Sequence, residues 1–397
     1  MLPPDATPTP QAADPATPPA GLAIVLSGGG ARAAYQVGLL KGLGRSFPHL
    51  RFPIVTGVSA GAINAVYLAA HRQGLEEAAR DLSEIWHDLQ LEDVFRVDTA
   101  SMTASFLRWV TRLGSGGSAV APKVRGLVDT EPLRRLLHRI LRTVDDEITG
   151  IGHNLDAGLL RALALTTVDY DTGQTVTWVE GTKFEPWERP HRLSRRVRLT
   201  IEHVMASAAL PLLFPAVRLG PHWHGDGGIR LAAPLAPAIH LGAQRILVVS
   251  TRYDRSQDEA DRSQLRGYPP PAQILGKLLN SVFLDVIDQD VAQLRHVNQL
   301  IARVPPEERG EFRWIETLVL RPSEDLGRLS AGFEPDLPKA FRFLTRSLGT
   351  RETSSPDFLS LLMFQPGYLQ KLMEIGERDA EARADDVARL LAHSPAS

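Results

Sequence analysis

A short apolar run at residues 22–26, Leu-Ala-Ile-Val-Leu, ends in a cluster of glycines. This pattern is typical of a buried parallel strand that runs into a tight turn. The residues that follow predict a helix over 33–43. A second strand is predicted at 53–56, and it runs through Gly57 into a helical stretch over 60–72. The order of strand, glycine turn and helix therefore occurs twice in the first part of the chain.

Further strand-like runs alternate with helical or turn-rich segments along the next two hundred or so residues; they lie at 161–168, 175–179, 245–251 and 315–320. Such alternation predicts an α/β fold with three layers and a mainly parallel central sheet. We divide the chain into a disordered leader (1–20), a main α/β domain (21–255) and a mainly helical C-terminal portion (256–397) that packs on that domain.

From residue 279 onward, apolar residues recur at spacings of three and four, which predicts one long helix with a single apolar face. The stripe consists of Phe283, Ile287, Val291, Leu294, Val297, Ile301 and Val304. Its opposite face is mixed in charge and not basic, so we expect the stripe to pack in the core and not to lie on a membrane. Residues 114–122 are small, polar and aperiodic, and they predict a surface loop that acts either as a lid or as a plain linker.

Composition narrows the classes of function. The 397 residues include 44 Lys and Arg against 46 Asp and Glu, so the overall charge gives no reason to expect nucleic-acid binding. The absence of Cys excludes thiol catalysis, disulfides and Cys-based zinc sites. The leader has neither a basic start nor an apolar core, and no apolar run reaches about 18 residues. We therefore expect a cytoplasmic protein, at most peripheral to a membrane, without signal peptide or transmembrane helix.

The charge is unevenly distributed along the chain. No acidic residue occurs between Asp14 and Glu76, although this stretch contains Arg32, Lys41, Arg45, Arg51 and Arg72. A second basic group consists of Arg189, Arg192, Arg195, Arg196 and Arg198. These side chains are either ordinary solvated surface residues or a positive field that attracts an anionic substrate.

Gly57-Val58-Ser59-Ala60-Gly61 matches the pattern GxSxG and lies between a predicted strand and a predicted helix. This is the context of a nucleophile elbow, in which small flanking residues let the backbone turn sharply and expose the serine hydroxyl. The N-terminus of the following helix points its positive end at that hydroxyl. Ser59 is therefore the candidate nucleophile.

Gly28, Gly29 and Gly30 follow the first strand and can turn several N–H groups toward one point, where they stabilise an anion. That anion is either a bound phosphate or the oxyanion of a tetrahedral intermediate. Together with Ala33, the glycines also satisfy GxGxxA, a dinucleotide pattern that predicts an acid about 20 residues later. No acid lies at that distance. A dinucleotide-binding protein therefore stays possible only if it binds NADP, with Arg51 taking the place of the acid.

An acid lies between glycines in the segment His224-Gly225-Asp226-Gly227-Gly228. The glycines make this segment too permissive for an ordinary strand, and an Asp in a β-turn is a common alternative. By itself the segment favours a turn, so Asp226 becomes a candidate catalytic residue only in combination with the two motifs above.

Together the three motifs resemble the patatin-like phospholipases, whose signature is a glycine-rich oxyanion loop, then GxSxG, then a DGG or DGA aspartate. The resemblance covers roughly residues 21–250, including Ala206 to Pro215 before the aspartate, and residues 360–380 look like the tail of many bacterial members. Ala33 departs from the family, which often has Gly there, and this places in question only the tightness of the helix start.

The resemblance implies an enzyme that hydrolyses carboxylic esters of phospholipids or lysophospholipids through an acyl-enzyme. Ser59 attacks, Asp226 accepts the proton, and the N–H groups of Gly28, Gly29, Gly30 and Ala60 form the oxyanion hole. The supporting residues are Arg32, which holds the loop or a phosphate, and Gly57, Gly61, Gly227 and Gly228. The reaction needs no metal and no other cofactor. For membrane contact we expect at most a weak, transient, anion-dependent association through the basic clusters, Leu212, Leu213 and Phe214.

A carboxylate of ordinary pKa near 4 is a poor base toward a serine hydroxyl, so a Ser–Asp dyad requires a desolvated Asp whose pKa is raised. The alternatives are a Ser-Asp-His esterase for small soluble esters and a non-catalytic lipid-binding protein. In the esterase, His240 or His296 follows the acid in chain order, but both fall in predicted helices. His222 and His224 are close to Asp226 in sequence and are less favoured as the base.

Overall fold

The computed structural model describes residues 21–96, 126–261, 286–339 and 357–392, with short pieces at 268–270, 273–274, 276–278, 280 and 341–342. Three sequence predictions lie outside the described residues. These are the disordered leader, the surface loop at 114–122, and Phe283 of the apolar stripe.

The strands are β1 Leu22–Leu26, β2 Ile54–Val58, β3 Thr143–Val144, β4 Glu147–Ile148, β5 Ala162–Asp169, β6 Thr175–Gly181, β7 Glu188–Arg189, β8 Arg192–Arg196, β9 Val217–Leu219, β10 His222–Asp226, β11 Arg245–Val249 and β12 Glu316–Leu320. Ten of them form the central sheet in the order β12-β11-β1-β2-β5-β6-β8-β7, with β10 joined to β5 and β9 joined to β10. The run from β12 to β5 is parallel throughout. Strands β3 and β4 form a separate ribbon.

The α-helices are α1 Ala34–Ser46, α2 Ala60–Ala70, α3 Leu75–His87, α4 Leu91–Val94, α5 Glu131–Ile140, α6 Thr149–Asp156, α7 Ile201–Ser207, α8 Ala236–His240, α9 Gln257–Ala260, α10 Val286–Ile301, α11 Leu326–Ser330, α12 Asp357–Leu362, α13 Pro366–Ala382 and α14 Ala384–Ala392. Short 3-10 helices lie at Gly30–Ala33, Gly227–Arg230, Pro306–Glu308 and Ala331–Asp336. Among the described residues, no helix is both long and apolar enough to cross a membrane.

The predicted α/β fold with three layers is confirmed by the two apolar clusters on either side of the sheet. Side chains alternate along β1, because successive residues of a strand point to opposite faces. Leu22, Ile24 and Leu26 join the cluster that contains α1, α2 and α13, whereas Ala23 and Val25 join the cluster that contains α10. The stripe on α10 is buried at Ile287, Val291, Leu294 and Ile301, so the prediction that it packs in the core is also confirmed.

Strand β2 continues to Val58, two residues past its predicted end. Gly57 stays extended because it pairs with Leu26 on one side and Leu165 on the other. The predicted helix at 33–43 begins with the 3-10 turn Gly30–Ala33 and continues as α1 to Ser46. Strand β2 therefore ends later than the sequence predicts, because it includes Gly57. The helical segment after β1 begins earlier than predicted, because it includes Gly30.

Residues after 255 contribute directly to the sheet and to one helical layer. Strand β12 pairs in parallel with β11, and α13 packs backbone to backbone on α1. A Cβ at Gly38 would lie 2.0 Å from the carbonyl oxygen of Met373, and one at Gly376 would lie 2.3 Å from that of Tyr35. Only glycine permits two helix backbones to approach so closely. The two glycines therefore allow α1 and α13 to pack in direct backbone contact. The boundary between 255 and 256 stays a prediction.

Candidate active site

Ser59 lies between the end of β2 and the start of α2 with φ 58° and ψ −135°. A positive φ is strained for a residue with a side chain, and such strain is common at functional turns. The flanking glycines are required sterically. A Cβ at Gly57 would lie 2.6 Å from the carbonyl oxygen of Gly61, and one at Gly61 would lie 2.3 Å from that of Ser27. The segment therefore has the geometry of a nucleophile elbow.

Ser207, at the end of α7, fixes the backbone of the elbow. Its Oγ accepts a hydrogen bond of 3.1 Å from the N–H of Ser59 and donates one of 2.8 Å to the carbonyl oxygen of Thr166. All three residues are buried. Sequence reasoning missed this role, because it treated the segment from Ala206 to Pro215 only as part of a family resemblance.

Asp226 is the last residue of β10, so the expectation that this segment is too permissive for an ordinary strand is wrong. The strand forms because β5 pairs with it on one side and β9 on the other. The N–H of Asp226 also donates to the carbonyl oxygen of Ala209 at 3.0 Å. These partners satisfy the backbone of a glycine-rich segment that local propensity alone would leave as a turn.

The glycines after Asp226 serve its carboxylate and its position. The N–H of Gly228 donates to Oδ1 at 2.9 Å. A Cβ at Gly227 would lie 2.3 Å from the carbonyl oxygen of Thr166, so the chain passes β5 too closely for any larger residue. The two glycines therefore place the carboxylate deep beside β5.

Burial raises the pKa of Asp226 to about 7, while hydrogen bonds from the Ser59 hydroxyl and the Gly228 N–H act to lower it. The residue is fully buried, and its Oδ2 makes no hydrogen bond of standard geometry among the described residues. This is the direction that the sequence argument required for a carboxylate acting on serine. A carboxylate with such a pKa is matched to proton transfer near neutral pH.

The glycine loop after β1 presents its backbone to the same place as Ser59. Gly29 and Gly30 have φ values of 153° and 54°, and their N–H groups donate to no described residue. Both glycines line a cavity together with Ser59 and Ala60. Gly28 does not line that cavity, and its carbonyl oxygen accepts a 2.8 Å bond from Thr251 Oγ1. Gly29, Gly30 and Ala60 therefore lie beside Ser59 at the cavity, while the roles of all four predicted oxyanion donors, Gly28 included, stay predictions.

Arg32 points away from this cavity into the C-terminal part of the chain. Its Nε donates to Ser360 Oγ at 2.7 Å, and its Nη2 lies 2.9 Å from Asp357 Oδ1. The side chain is only 4% exposed. Because these contacts occupy the guanidinium, they favour the role of holding the loop over that of binding a phosphate.

The cavity in front of Ser59 is almost wholly apolar. Its wall comes from helices α2, α3, α4, α5 and α12 and from the segments that follow α3, α7 and α12. Besides the glycines, Ser59 and Ala60, it contains Ile63, Ile85, Trp86, Leu89, Val94, Leu133, Leu136, Ile140, Ala208, Leu210, Phe214, Leu361, Leu362 and Phe364. Ser59 contributes the hydroxyl in this lining, and Asp226 lies behind it, outside the lining. The space therefore fits an apolar chain whose polar end reaches Ser59.

The histidines considered for a triad lie elsewhere. His240 stacks on Trp187 with ring centroids 4.6 Å apart, and His296 is exposed on α10. His222 lies 3.1 Å from Asp169, and His224 contacts Thr167 Oγ1 at 3.1 Å. Among the described residues, none of these four rings lines the cavity or forms a hydrogen bond with Ser59 or Asp226.

One group of side chains could hold a metal ion by its donor set. Asp169, Asp171 and His222 offer ligand atoms that all lie within 4.8 Å of one another. Both carboxylates already accept backbone hydrogen bonds. Asp169 accepts one from the N–H of Asp171, and Asp171 accepts one from the N–H of Trp223. The group does not line the cavity at Ser59.

Part of the first basic stretch is neutralised by the C-terminal portion. Glu377 on α13 lies 2.8 Å from Lys41 and 2.6 Å from Arg45, and Arg32 pairs with Asp357. In the second basic group, Arg198 pairs with Glu180 at 3.2 Å. Tertiary contacts therefore weaken the positive field that the sequence alone suggests.

Leu212 stands out on the surface next to the cavity. It is 65% exposed and has φ 66°, whereas Phe214 two residues later lines the cavity. The carbonyl oxygens of Leu212 and Leu213 accept the N–H of Leu127, which holds the segment in place. The backbone hydrogen bonds from Leu127 therefore hold this segment so that the Leu212 side chain is exposed to solvent beside the cavity.

A family model described as "Patatin-like phospholipase" matches residues 24–239, which are 216 of the 397 residues. The match includes the glycine loop, the elbow and Asp226. No curated protein matches the chain.

Solved structures that resemble this chain do so at low sequence identity. Human GIVD cytosolic phospholipase A2, bound to methyl gamma-linolenyl fluorophosphonate, is 12% identical with a TM-score of 0.43, over 95% of this chain and 58% of that one. VipD from Legionella pneumophila is 12% identical with a TM-score of 0.31, over 90% and 67%. The effector ExoU of Pseudomonas aeruginosa is 16% identical with a TM-score of 0.31, over 90% and 54%.

Proposed function

The chain belongs to the patatin-like phospholipase family, and on that premise we propose that this lipid acyl hydrolase cleaves carboxylic esters of phospholipids or lysophospholipids with Ser59 as nucleophile and Asp226 as base. The observation that carries the proposal is the placement of Ser59. Its hydroxyl opens into an apolar cavity, while the carboxylate that activates it is buried on the protein side. Substrate therefore meets a nucleophile without displacing its base.

Acylation follows from these positions. Ser59 Oγ attacks the ester carbonyl, and its proton passes to Asp226. The negative oxygen that forms accepts hydrogen bonds from the N–H groups of Gly29, Gly30 and Ala60, which have no described acceptor of their own. When the C–O bond breaks, the leaving alcohol takes the proton from Asp226, and the acyl group stays on Ser59.

Deacylation reverses the proton path. A water molecule attacks the acyl carbonyl and gives its proton to Asp226, and the same N–H groups stabilise the second oxyanion. Collapse releases the fatty acid and returns the proton from Asp226 to Ser59 Oγ. A carboxyl with pKa about 7 can both accept and return a proton at neutral pH, which suits the two halves of the reaction.

The cavity supports a lipid acyl chain as the group that is bound. Nearly all its lining is apolar, and each methylene that enters it gains about 0.8 kcal/mol by leaving water. The polar end of the substrate lies at the glycine loop, and the headgroup then faces the outside. A single long acyl chain fits this arrangement better than a small soluble ester.

The triad esterase has less support because the four histidines considered for it have other contacts. A non-catalytic lipid-binding protein would share the cavity but would not need a strained serine or a buried carboxylate beside it. The dinucleotide alternative would require a cofactor phosphate on the glycine loop, where the carbonyl oxygen of Leu361 is already packed against Gly30.

The test is acyl release from a panel of diacyl phospholipids, lysophospholipids and short-chain esters. The parent protein should release long acyl chains and react with a serine-directed fluorophosphonate, and Ser59→Ala should do neither. Ser330→Ala, which changes a buried serine elsewhere, should behave like the parent. Release only from short esters would favour the soluble-ester enzyme, whereas no release and no labelling would favour a lipid-binding protein.

Membrane contact belongs to the same proposal, as a weak and anion-dependent association through the basic clusters and through Leu212, Leu213 and Phe214. Leu212→Asp should reduce binding to vesicles that contain phosphatidylglycerol by about three- to tenfold, since it replaces an exposed apolar side chain with a charge. Leu300→Asp, at an equally exposed leucine on α10, is the matched control. Equal binding to neutral and anionic vesicles, unaffected by salt, would contradict the idea.

A further inference from the structure

The side chain of Arg32 is fixed by a group of residues far away in sequence. Besides the bonds to Ser360 Oγ and Asp357 Oδ1, its Nη2 donates to the carbonyl oxygen of Asp357 at 3.2 Å and its Nη1 to Asn280 Oδ1 at 3.4 Å. Ser360 Oγ in turn donates to the carbonyl oxygen of Asp357 at 2.7 Å. Residues from one turn of α12 therefore hold the guanidinium through three contacts, two from Asp357 and one from Ser360.

The same turn touches the glycine loop itself. A Cβ built on Gly30 would lie only 2.1 Å from the carbonyl oxygen of Leu361, so that carbonyl is packed directly on the glycine. Gly30 is followed within its 3-10 turn by Arg32. Two neighbouring points of the loop thus rest on α12.

The loop needs such external support. Gly29 and Gly30 have no side chains and lie at positive φ, where glycine has more freedom than any other residue. An oxyanion hole lowers the barrier only if its donors are already aimed before charge develops. The loop's own sequence cannot supply that rigidity.

We propose that Asp357 and Ser360 are positioning residues for the oxyanion hole, which act by holding Arg32 and, through it, the N–H groups of Gly29 and Gly30. This inference rests on the proposed function. Neither residue lines the cavity at Ser59, so neither touches the acyl chain. Their effect is on the alignment of donors and not on substrate binding.

The carboxylate of Asp357 attracts a second cation besides Arg32. Its Oδ2 also lies 3.2 Å from Lys277 Nζ, and its side chain is only 7% exposed. Burial acts to raise the pKa of Asp357, but the charges of Arg32 and Lys277 hold it below its ordinary value. The carboxylate therefore stays ionised and draws both cations onto α12. An amide of the same shape would keep the packing and remove this attraction.

The experiment compares Asp357→Asn and Ser360→Ala with Glu377→Gln in the full chain. Glu377 is a matched control, because it joins Lys41 and Arg45 of α1 to α13 and so links the same two parts of the chain away from the loop. The measurements are kcat and KM for a long-chain p-nitrophenyl ester, the rate of inactivation by a fluorophosphonate, and the Kd for oleate. Melting curves check that each variant is folded.

For Asp357→Asn we expect kcat and the inactivation rate to fall together by about 10- to 100-fold, less than the loss of a whole oxyanion donor. KM and the Kd for oleate should stay within about twofold of the parent. Ser360→Ala removes one acceptor and leaves the ion pair, so its kcat should fall by about three- to tenfold. Glu377→Gln should keep the parental kcat.

The inference is wrong if the parent is active and both variants, folded, keep its kcat, or if only KM rises. Should Asp357→Asn fail to fold, Ser360→Ala decides by the same criterion. If the parent itself neither hydrolyses an ester nor reacts with the fluorophosphonate, the proposed function fails first, and this inference fails with it.

Discussion

Asp226 and Gly30 both adjoin Ser59, yet the chain holds them by different means. Asp226 ends a strand that pairs with β5, and its carboxylate bonds to Gly228 two residues later. Gly30 is covered by Leu361 and anchored through Arg32, whose partner Ser360 lies 328 positions further along. The base is held by short-range and sheet contacts within the matched segment, and the anion-binding loop depends on the end of the chain.

The difference is also one of energy. Asp226 is buried and has no counter-ion among the described residues, so its charge works against folding and is tolerated for its chemistry. Arg32 and Asp357 form a buried pair, and removing one partner of such a pair typically costs about 3–5 kcal/mol. Changes at the base should therefore damage activity and spare the fold, whereas changes at the loop should damage both. The variants of the dyad and of Gly30 described below test that contrast.

The largest effect is expected at the dyad. Ser59→Ala and Asp226→Asn should each lower kcat by about a thousandfold or more, because groups that act as one unit fail together. Histidine variants should differ sharply. His222, His224, His240 and His296, changed singly to Gln, should each keep activity within about tenfold of the parent. Ester hydrolysis by each variant decides, and a hundredfold loss in one histidine variant beside an active Asp226→Asn would replace the dyad by a triad.

Gly30→Ala should reduce kcat by about a hundredfold and also lower the free energy of unfolding by more than 1 kcal/mol. The new Cβ would meet the Leu361 carbonyl, and φ 54° is strained for alanine. Gly158→Ala is the matched control, because Gly158 has φ 70° but nothing within 4 Å of a new Cβ. It should cost only the strain, with full activity. Equal activity of the two variants would contradict the tight fit of the loop on α12.

Ile140→Trp should narrow the cavity and thereby sort substrates by length. We expect kcat/KM for a palmitoyl ester to fall by about tenfold and that for a butyryl ester to change less than twofold, because an indole added to the apolar lining takes up space that a long acyl chain needs and a short one does not. Leu300→Trp, on the exposed face of α10, should change neither value. A parallel loss for both esters would show that Ile140 is not at the chain-binding end.

The pH dependence should show the raised pKa of Asp226 as a rise of about tenfold in kcat/KM between pH 6 and 8. Since the base works ionised, kcat/KM should rise through about pH 7 and then level off. In the folded state this carboxyl holds its proton up to about pH 7, whereas the unfolded chain releases it near pH 4. Its contribution to stability is therefore fully present below about pH 4 and is lost as the pH rises to about 7.

Asp226→Asn should remove the loss of stability that the buried carboxyl causes as the pH rises. Its stability relative to the parent should grow between pH 4 and 7 and level off above, by at most about 4 kcal/mol. Taking the difference between variant and parent cancels the opposite effect of His203, whose pKa burial lowers to about 4. Urea unfolding across this range measures it, and a difference that does not vary with pH would contradict a raised pKa.

Much of the fold was predictable because several of its strands are short apolar runs bounded by polar or turn-forming residues. The runs at 22–26 and 315–320 became β1 and β12 within one residue of their predicted ends. The apolar stripe of α10 was also predictable, since spacing by three and four needs no knowledge of the partner. The strand that ends at Asp226 was not, because its residues favour a turn and only pairing with β5 and β9 makes them extended.

The sequence by itself determined the order of the chemistry: a glycine loop after β1, a serine between glycines after β2, and an aspartate between glycines further on. Those motifs are local, because a tight turn restricts which residues fit at it. Only the tertiary structure decided that Ser207 holds the elbow, that Asp226 is buried enough to raise its pKa, and that Asp357 grips Arg32. Burial and long-range pairing depend on which surfaces meet in the folded chain, and no short stretch of sequence records that.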